Sequence, residues 1–262
     1  MAIKLQAIKN YARLAKGLLF VPRCAGCDEF LPLSSVKSPQ GVLCPDCMFK
    51  WDEAMNATCR ACGKVLSECE CIPSQLHDEG CGLLISLVNY DKNAPRRSIV
   101  NKLIFEIKDR NYRALSEFLA FELSQSVGAM IKKIGADNCV LTYAPRSKKA
   151  LNEKGHDQAR ELAIALSRFT GVEFVPCIRR VTLLKGERAQ KSLNEEDRAD
   201  NARHSFAIRK RSIKRFLGKC VILVDDVVTT GASLAACTSV LIDNGALTVA
   251  CLTVASSMSV EQ

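Results

Sequence analysis

The hydrophobic and polar positions of the chain fall into three regimes. Over residues 1–20, Ile3, Leu5, Ile8, Tyr11, Leu14 and Leu18 recur at near-helical spacing, which predicts one amphipathic helix docked on the rest of the protein. From Pro22 to about Cys81 the periodicity fades into turn residues and paired cysteines, the pattern of a module ordered by metal instead of by a core. Beyond Gly82 regular elements return. Residues 83–89 read as a strand and 97–125 as one helix rich in Ile, Leu and Phe. Strands at 139–144, 220–224 and 246–254 then alternate with helices at 157–170 and 233–244, the last ended by Gly245. Such alternation predicts an α/β domain, a parallel sheet with helices on both faces. The expected division is 1–20 for the helix, 21–81 for the cysteine module and 82–262 for the α/β domain.

Composition narrows the class. With 48% hydrophobic and 25% charged residues in 262, the chain can bury a substantial core. The longest apolar candidate, 245–255, is too short to cross a bilayer and reads as a strand. Lys4, Lys9, Arg13 and Lys16 are spread among apolar positions instead of preceding them, unlike a secretory signal, so a cytoplasmic protein is expected. The net charge of +9 is uneven: residues 179–215 hold twelve Lys and Arg against five Asp and Glu. That surplus implies an anionic partner: a nucleic acid, a polyphosphate substrate or an acidic protein.

The fourteen cysteines carry the first chemical signal, because eight fall between Cys24 and Cys71. In a reducing compartment such clustering points to metal and away from disulfides. Cys24-x2-Cys27 followed by Cys44-x2-Cys47 has the spacing of a four-thiolate zinc site, two tight turns each presenting two sulfurs. Cys59-x2-Cys62 and Cys69-x-Cys71 suggest a second zinc, with Cys81 or His77 as substitute ligands in view of the single-residue gap. A full thiolate set leaves zinc no open position, so both sites read as structural. Cys139, Cys177, Cys220, Cys237 and Cys251 stand singly among apolar neighbours and read as small buried hydrophobes.

The second signal is the run from Val221 to Ser233: an apolar strand, Asp225 and Asp226, then Thr229, Thr230, Gly231, Ala232 and Ser233 opening a helix. Open α/β sheets place ligands at the carboxyl ends of their strands, where these two carboxylates emerge and can accept hydrogen bonds from a ribose diol. Residues 229–233 can wrap a phosphate monoester with hydroxyls and backbone N–H groups at a helix N-terminus. The run lacks the Gly-Lys-Ser/Thr of a Walker loop and the spaced glycines of a dinucleotide fingerprint.

Four apolar residues, two acids and Thr-Thr-Gly resemble the signature of the type I phosphoribosyltransferases. With the N-terminal cysteine pairs, the order of elements over about 21–254 is similar to the ComF family, associated with DNA uptake in competent bacteria. The resemblance implies a type I phosphoribosyltransferase sheet with a small zinc-ribbon module before it, and 5-phosphoribosyl-1-pyrophosphate (PRPP) as ligand. Asp225 and Asp226 would meet the ribose hydroxyls with Mg2+ nearby, and Thr229, Thr230, Gly231, Ala232 and Ser233 the 5-phosphate. Ala144, Pro145 and Arg146 would form the pyrophosphate loop, with Tyr143 standing where a proline is expected. Lys154-Gly155-His156-Asp157-Gln158 occupies the place of an Arg-Gly-aromatic-Asn-Gln motif. Gln190, Leu193, Arg198 and Asn201 match a further spacing, with Glu187 where threonine is common. Lys185, Arg188 and Lys191 would close over the pyrophosphate, Lys185 and Arg188 as catalytic cations for the departing charge. Three functions follow: a magnesium-dependent phosphoribosyltransferase, a nucleobase salvage enzyme sharing its donor site, and a single-stranded DNA-binding adaptor working with DNA-uptake proteins.

Overall fold

The structure is a computed structural model that describes residues 21–257 except 33, 36, 37, 60, 96, 97, 111 and 182–204. The helix expected over 1–20, together with Lys185, Glu187, Arg188, Gln190, Lys191, Leu193, Arg198 and Asn201, lies outside the described residues.

Five strands, β1 (Cys81–Asn89), β2 (Cys139–Tyr143), β3 (Glu173–Phe174), β6 (Cys220–Val228) and β7 (Thr248–Ser256), form one sheet in the order β1-β7-β6-β2-β3. All its pairings are parallel. Burial on both faces explains why β2, β6 and β7 read as apolar runs: Val221, Ile222, Leu223 and Val224 are each fully buried. Strands β4 (Ile178–Arg180) and β5 (Phe206–Ile208) pair antiparallel beside the sheet, and Val181 N–H donates to the Ser205 carbonyl at their open end.

Helices cover both faces, as the alternation predicts. In chain order they are α1 (Pro45–Met55), α2 (Ser74–His77), α3 (Ile99–Asp109), α4 (Arg113–Ile134), α5 (Lys148–Lys154), α6 (Gln158–Thr170), α7 (Ile213–Phe216) and α8 (Ala232–Asp243). Leu115, Phe118 and Leu123 of α4 and Leu162 and Leu166 of α6 share one core with Ile222 and Leu252 of the sheet. On the opposite face Leu234, Cys237 and Leu241 of α8 pack with Val221 and Leu223.

Three expectations are corrected. The single helix over 97–125 is two helices, α3 ending at Asp109 and α4 starting at Arg113; the Asp109 carboxylate meets Lys154, 2.5 Å away. The helical ladder stops with the Arg110 N–H on the Glu106 carbonyl, and the extended backbone of Tyr112, with ψ of 90°, separates it from the next helix. The strand expected over 220–224 runs on to Val228, so both acids lie within it. Finally, the first cysteine module is not ordered by metal alone. Ala25, Leu31, Val42, Leu43 and Trp51 belong to the same core as α4, and Trp51, 1% exposed, meets the Phe118 ring edge-on at 5.7 Å. Helix α1 starts at the second cysteine pair, with Cys44 at the N-cap and Pro45 next, and four-residue spacing puts Cys47 and Trp51 on one inward face.

Candidate functional site

The carboxyl ends of β6 and β2 meet at the two aspartates. Side chains alternate along a strand, so Asp225 and Asp226 leave β6 on opposite faces and into different surroundings. Asp226, buried, accepts a hydrogen bond from Arg146 Nη2 at 3.2 Å, and Lys108 Nζ lies 3.8 Å away. Asp225 is half-buried by area but enclosed by protein on most sides. That burial first, and the like charge of Asp226 second, push its carboxyl well above the usual carboxylate range. Its Oδ1 accepts the Asp226 N–H at 2.8 Å.

Past Val228 the chain turns at Thr229 and Thr230, both exposed, and enters α8 through Gly231, whose φ of 75° suits glycine. No side chain caps this helix within ordinary reach: Thr230 Oγ1 stands 3.5 Å from Ala232 N, at the limit of a hydrogen bond. The first turn of α8, with Ser233 exposed at its rim, therefore directs its N–H groups and the positive end of the helix dipole past the turn. This is an anion-binding geometry.

Opposite, the loop after β2 is pinned by the Ala144 N–H on the Val224 carbonyl at 3.0 Å, with Pro145 buried. The Arg146 N–H donates to Asp157 Oδ2 at 3.1 Å while its guanidinium turns to Asp226. Asp157 caps α6 through the Arg160 N–H, and burial raises its pKa against those hydrogen bonds. The rest of this motif grips the end of α3: Gln158 Nε2 donates to the Lys108 carbonyl at 2.9 Å, and His156 Nε2 lies 3.0 Å from the Ile107 carbonyl. Lys154 to Gln158 thus hold protein elements together around the acids. Lys108 was invisible to sequence reasoning, since one lysine in an amphipathic helix has no pattern; only its approach to Asp226 singles it out.

The eight cysteines form two groups, Cys24, Cys27, Cys44 and Cys47, and Cys59, Cys62, Cys69 and Cys71, with the four sulfurs of each within 4.8 Å of one another. Tetrahedral Zn–S bonds of about 2.3 Å put sulfurs under 4 Å apart, close to the 3.6 Å found between Cys27 and Cys44 and between Cys62 and Cys69. Each group can hold one metal ion, and Cys71 completes the second despite its single-residue gap. Cys81 lies elsewhere, its thiol 3.6 Å from Cys251, and His77 is beside Asp78. Backbone amides favour thiolate: the Cys44 N–H donates to Cys24 Sγ at 3.2 Å. At Cys59 burial opposes ionisation, but the Cys62 and Ala61 amides outweigh it and lower the thiol to about 7.

A cavity of about 490 Å³ opens at the carboxyl ends of β1 and β7, walled by the second cysteine group. Ser86, Asn89, Tyr90, Asn93 and Ser257 line it. Ser86 bonds Thr253 at 2.7 Å, Thr253 is in register with Asp225, and the Ser257 N–H donates to the Val228 carbonyl just before Thr229. The cavity and the turn after β6 are therefore neighbours at the carboxyl end of the sheet.

No family model matches the chain, and no curated protein matches it. Among solved structures it is similar to an allosteric regulatory enzyme of purine biosynthesis, at 18% identity and a TM-score of 0.34, over 53% of this chain and 25% of that one. It is also similar to a purine phosphoribosyltransferase from Pyrococcus horikoshii, at 14% identity and a TM-score of 0.31, over 54% of this chain and 81% of that one. A third is the protein TT1426 from Thermus thermophilus, at 20% identity and a TM-score of 0.29, over 59% of this chain and 86% of that one. The chain spans a quarter of the length of the first of these.

Proposed function

We propose that this chain binds PRPP with Mg2+ at the end of β6 and transfers its phosphoribosyl group to a nitrogen acceptor. One observation carries the reading: two acids lie near the end of the central strand, just before an exposed helix N-terminus that no side chain firmly caps. The first turn of α8 holds the 5-phosphate with Thr229, Thr230 and Ser233, and the acids take the ribose diol. Carboxylate oxygens also suit magnesium, which arrives with the donor and screens the pyrophosphate. Arg146 and Lys108 orient Asp226. In the reaction the C1–O bond to pyrophosphate breaks, the leaving group keeps the electron pair, and the acceptor nitrogen bonds to C1 and gives up a proton. Lys185 and Arg188 are assigned to the leaving group by resemblance alone.

The test is calorimetric titration of the purified chain with PRPP and Mg2+. Micromolar binding lost in Asp225→Ala/Asp226→Ala supports the proposal; no binding by the wild type ends it. The cavity of about 490 Å³ beside Ser257 is the place for a planar nitrogen heterocycle, and it favours the nucleobase salvage form of this activity. Release of pyrophosphate that depends on one member of a panel of purines, pyrimidines and nicotinate would identify the acceptor.

A second reading, single-stranded DNA binding in DNA uptake as in the ComF family, is favoured by the aromatic surface of the first cysteine module. Phe30 and Phe49 are each 64% exposed, next to Arg23 and Lys50. Stacking plus charge predicts binding that weakens steeply with salt, and affinity that ignores salt excludes it. The proposal carries with it zinc in both cysteine groups, a cytoplasmic location and the division at 1–20, 21–81 and 82–262. No helix among the described residues is long and apolar enough to cross a membrane.

A further inference from the structure

We infer that Asp28, in the turn of the first cysteine pair, is a positioning residue for the donor site, acting through α3 on Lys108 and so on Asp226. The inference rests on the reading that these aspartates belong to a donor site.

Asp28 is the one non-glycine residue with positive φ, 65°, among the described residues. A left-handed conformation at a non-glycine residue is held in place by its surroundings, and here they are visible. Two residues earlier, a Cβ added to Gly26 would stand 2.6 Å from Cys47 Sγ and 2.8 Å from Ile99 Cδ1, so the turn is pressed against the first residue of α3. The Asp28 carboxylate then takes Lys102 Nζ at 3.1 Å and approaches Arg110 Nη1 at 3.8 Å. Both cations also face the buried Glu106, at 3.3 and 3.4 Å. Positions 99, 102, 106 and 110 follow three- and four-residue spacing, which places them on one side of the helix. Two acids and two bases balance there, and the hydrogen bond that Lys102 donates to Asp28 is the foremost reason that the Lys102 pKa is raised.

The far end of α3 is held as firmly. The Ile107 and Lys108 carbonyls meet His156 and Gln158, and Asp109 meets Lys154. Lys108 projects from this clamped end toward Asp226. Lys102 and Lys108 are six residues, about 9 Å, apart on one nearly rigid helix, and Arg110 lies just past Lys108, so a shift where Asp28 grips the helix is carried to Lys108. Exposed ion pairs of this kind add little stability. Their consequence lies in where they fix the helix, so losing Asp28 should be read in donor affinity before it is read in melting.

Asn tolerates the left-handed conformation, so Asp28→Asn removes charge without backbone strain. Expected results are full metal content, a melting temperature within about 2 °C of wild type, and PRPP affinity weakened roughly 3–10-fold, the range of a coupling carried through a helix. Lys108→Gln should weaken binding by at least as much, and the double variant no further than Lys108→Gln alone. Losses that multiply, or an Asp28→Asn affinity within experimental error of wild type, overturn the inference. A donor-free measurement separates this from failure of the proposed function: hydrogen exchange at residues 105–109 should accelerate in Asp28→Asn. If the wild type fails to bind PRPP, the donor reading falls. Unchanged exchange at 105–109 overturns the coupling whether or not the donor binds.

Discussion

The adjacent aspartates should respond to the same substitution with opposite signs. Asp225 is an acid whose surroundings resist its charge, through burial first and then through Asp226. Its folded pKa lies above the unfolded value, so its contribution to stability is fully present below the unfolded pKa and is lost as pH rises through the folded one. Asp225→Asn removes the disfavoured charge and keeps an oxygen for the Asp226 N–H. At pH 7.5 the donor-free protein should gain about 0.5–2 kcal/mol, as single relieving substitutions do. For a domain of this size that raises the melting temperature by about 1–8 °C. Asp226→Asn instead leaves Arg146 and Lys108 facing a neutral amide. With one side chain 11% exposed and its partners 22% and 30%, the loss should fall below the 3–5 kcal/mol of a fully buried broken pair, at about 1–3 kcal/mol. Scanning calorimetry without donor at pH 7.5 and pH 4.5 checks both. The Asp225→Asn gain should shrink at the lower pH as the wild-type acid takes up its proton, while both variants lose PRPP binding. Equal signs for the two variants, or a gain that is independent of pH, would refute the assignment of two environments.

Other outcomes follow from single contacts. Gly231→Ala forces a side chain into φ 75° at the mouth of the anion site, and should lower stability by about 1 kcal/mol and PRPP affinity at least tenfold by calorimetry. Gly26→Ala drives a Cβ against Cys47 Sγ and Ile99, so elemental analysis should show the metal content falling by one ion per chain while the second cysteine group stays loaded. Ser86→Val or Thr253→Val leaves a buried hydroxyl without its partner and should cost about 1–3 kcal/mol in denaturant unfolding; the double variant should cost less than the sum.

What could be read from the sequence was local. Each cysteine pair, and the strand, turn and helix from Val221 to Ser233, shows its shape within a few residues, because a four-sulfur cluster's knuckles and a Gly-containing turn are short-range objects. Four of the five strands of the parallel sheet are legible for the same reason, while β3, two residues long and not buried, shows no apolar run. The break between α3 and α4 was hidden because the apolar pattern of Ile107, Leu115 and Phe118 carries across it. The shared core of the first module was hidden because Trp51 finds Phe118 only after the chain folds back. The inequivalence of the two aspartates was least legible of all. In sequence they are neighbours of one type, and a strand ending at Val224 would have released both into the same loop. Four more residues of pairing with β7, as far as Val228, bind them to strand alternation and send one toward α8 and the other toward Arg146 and Lys108. Four more residues of strand thus decide which acid is paired with cations from distant parts of the chain and which stands in surroundings that disfavour its charge.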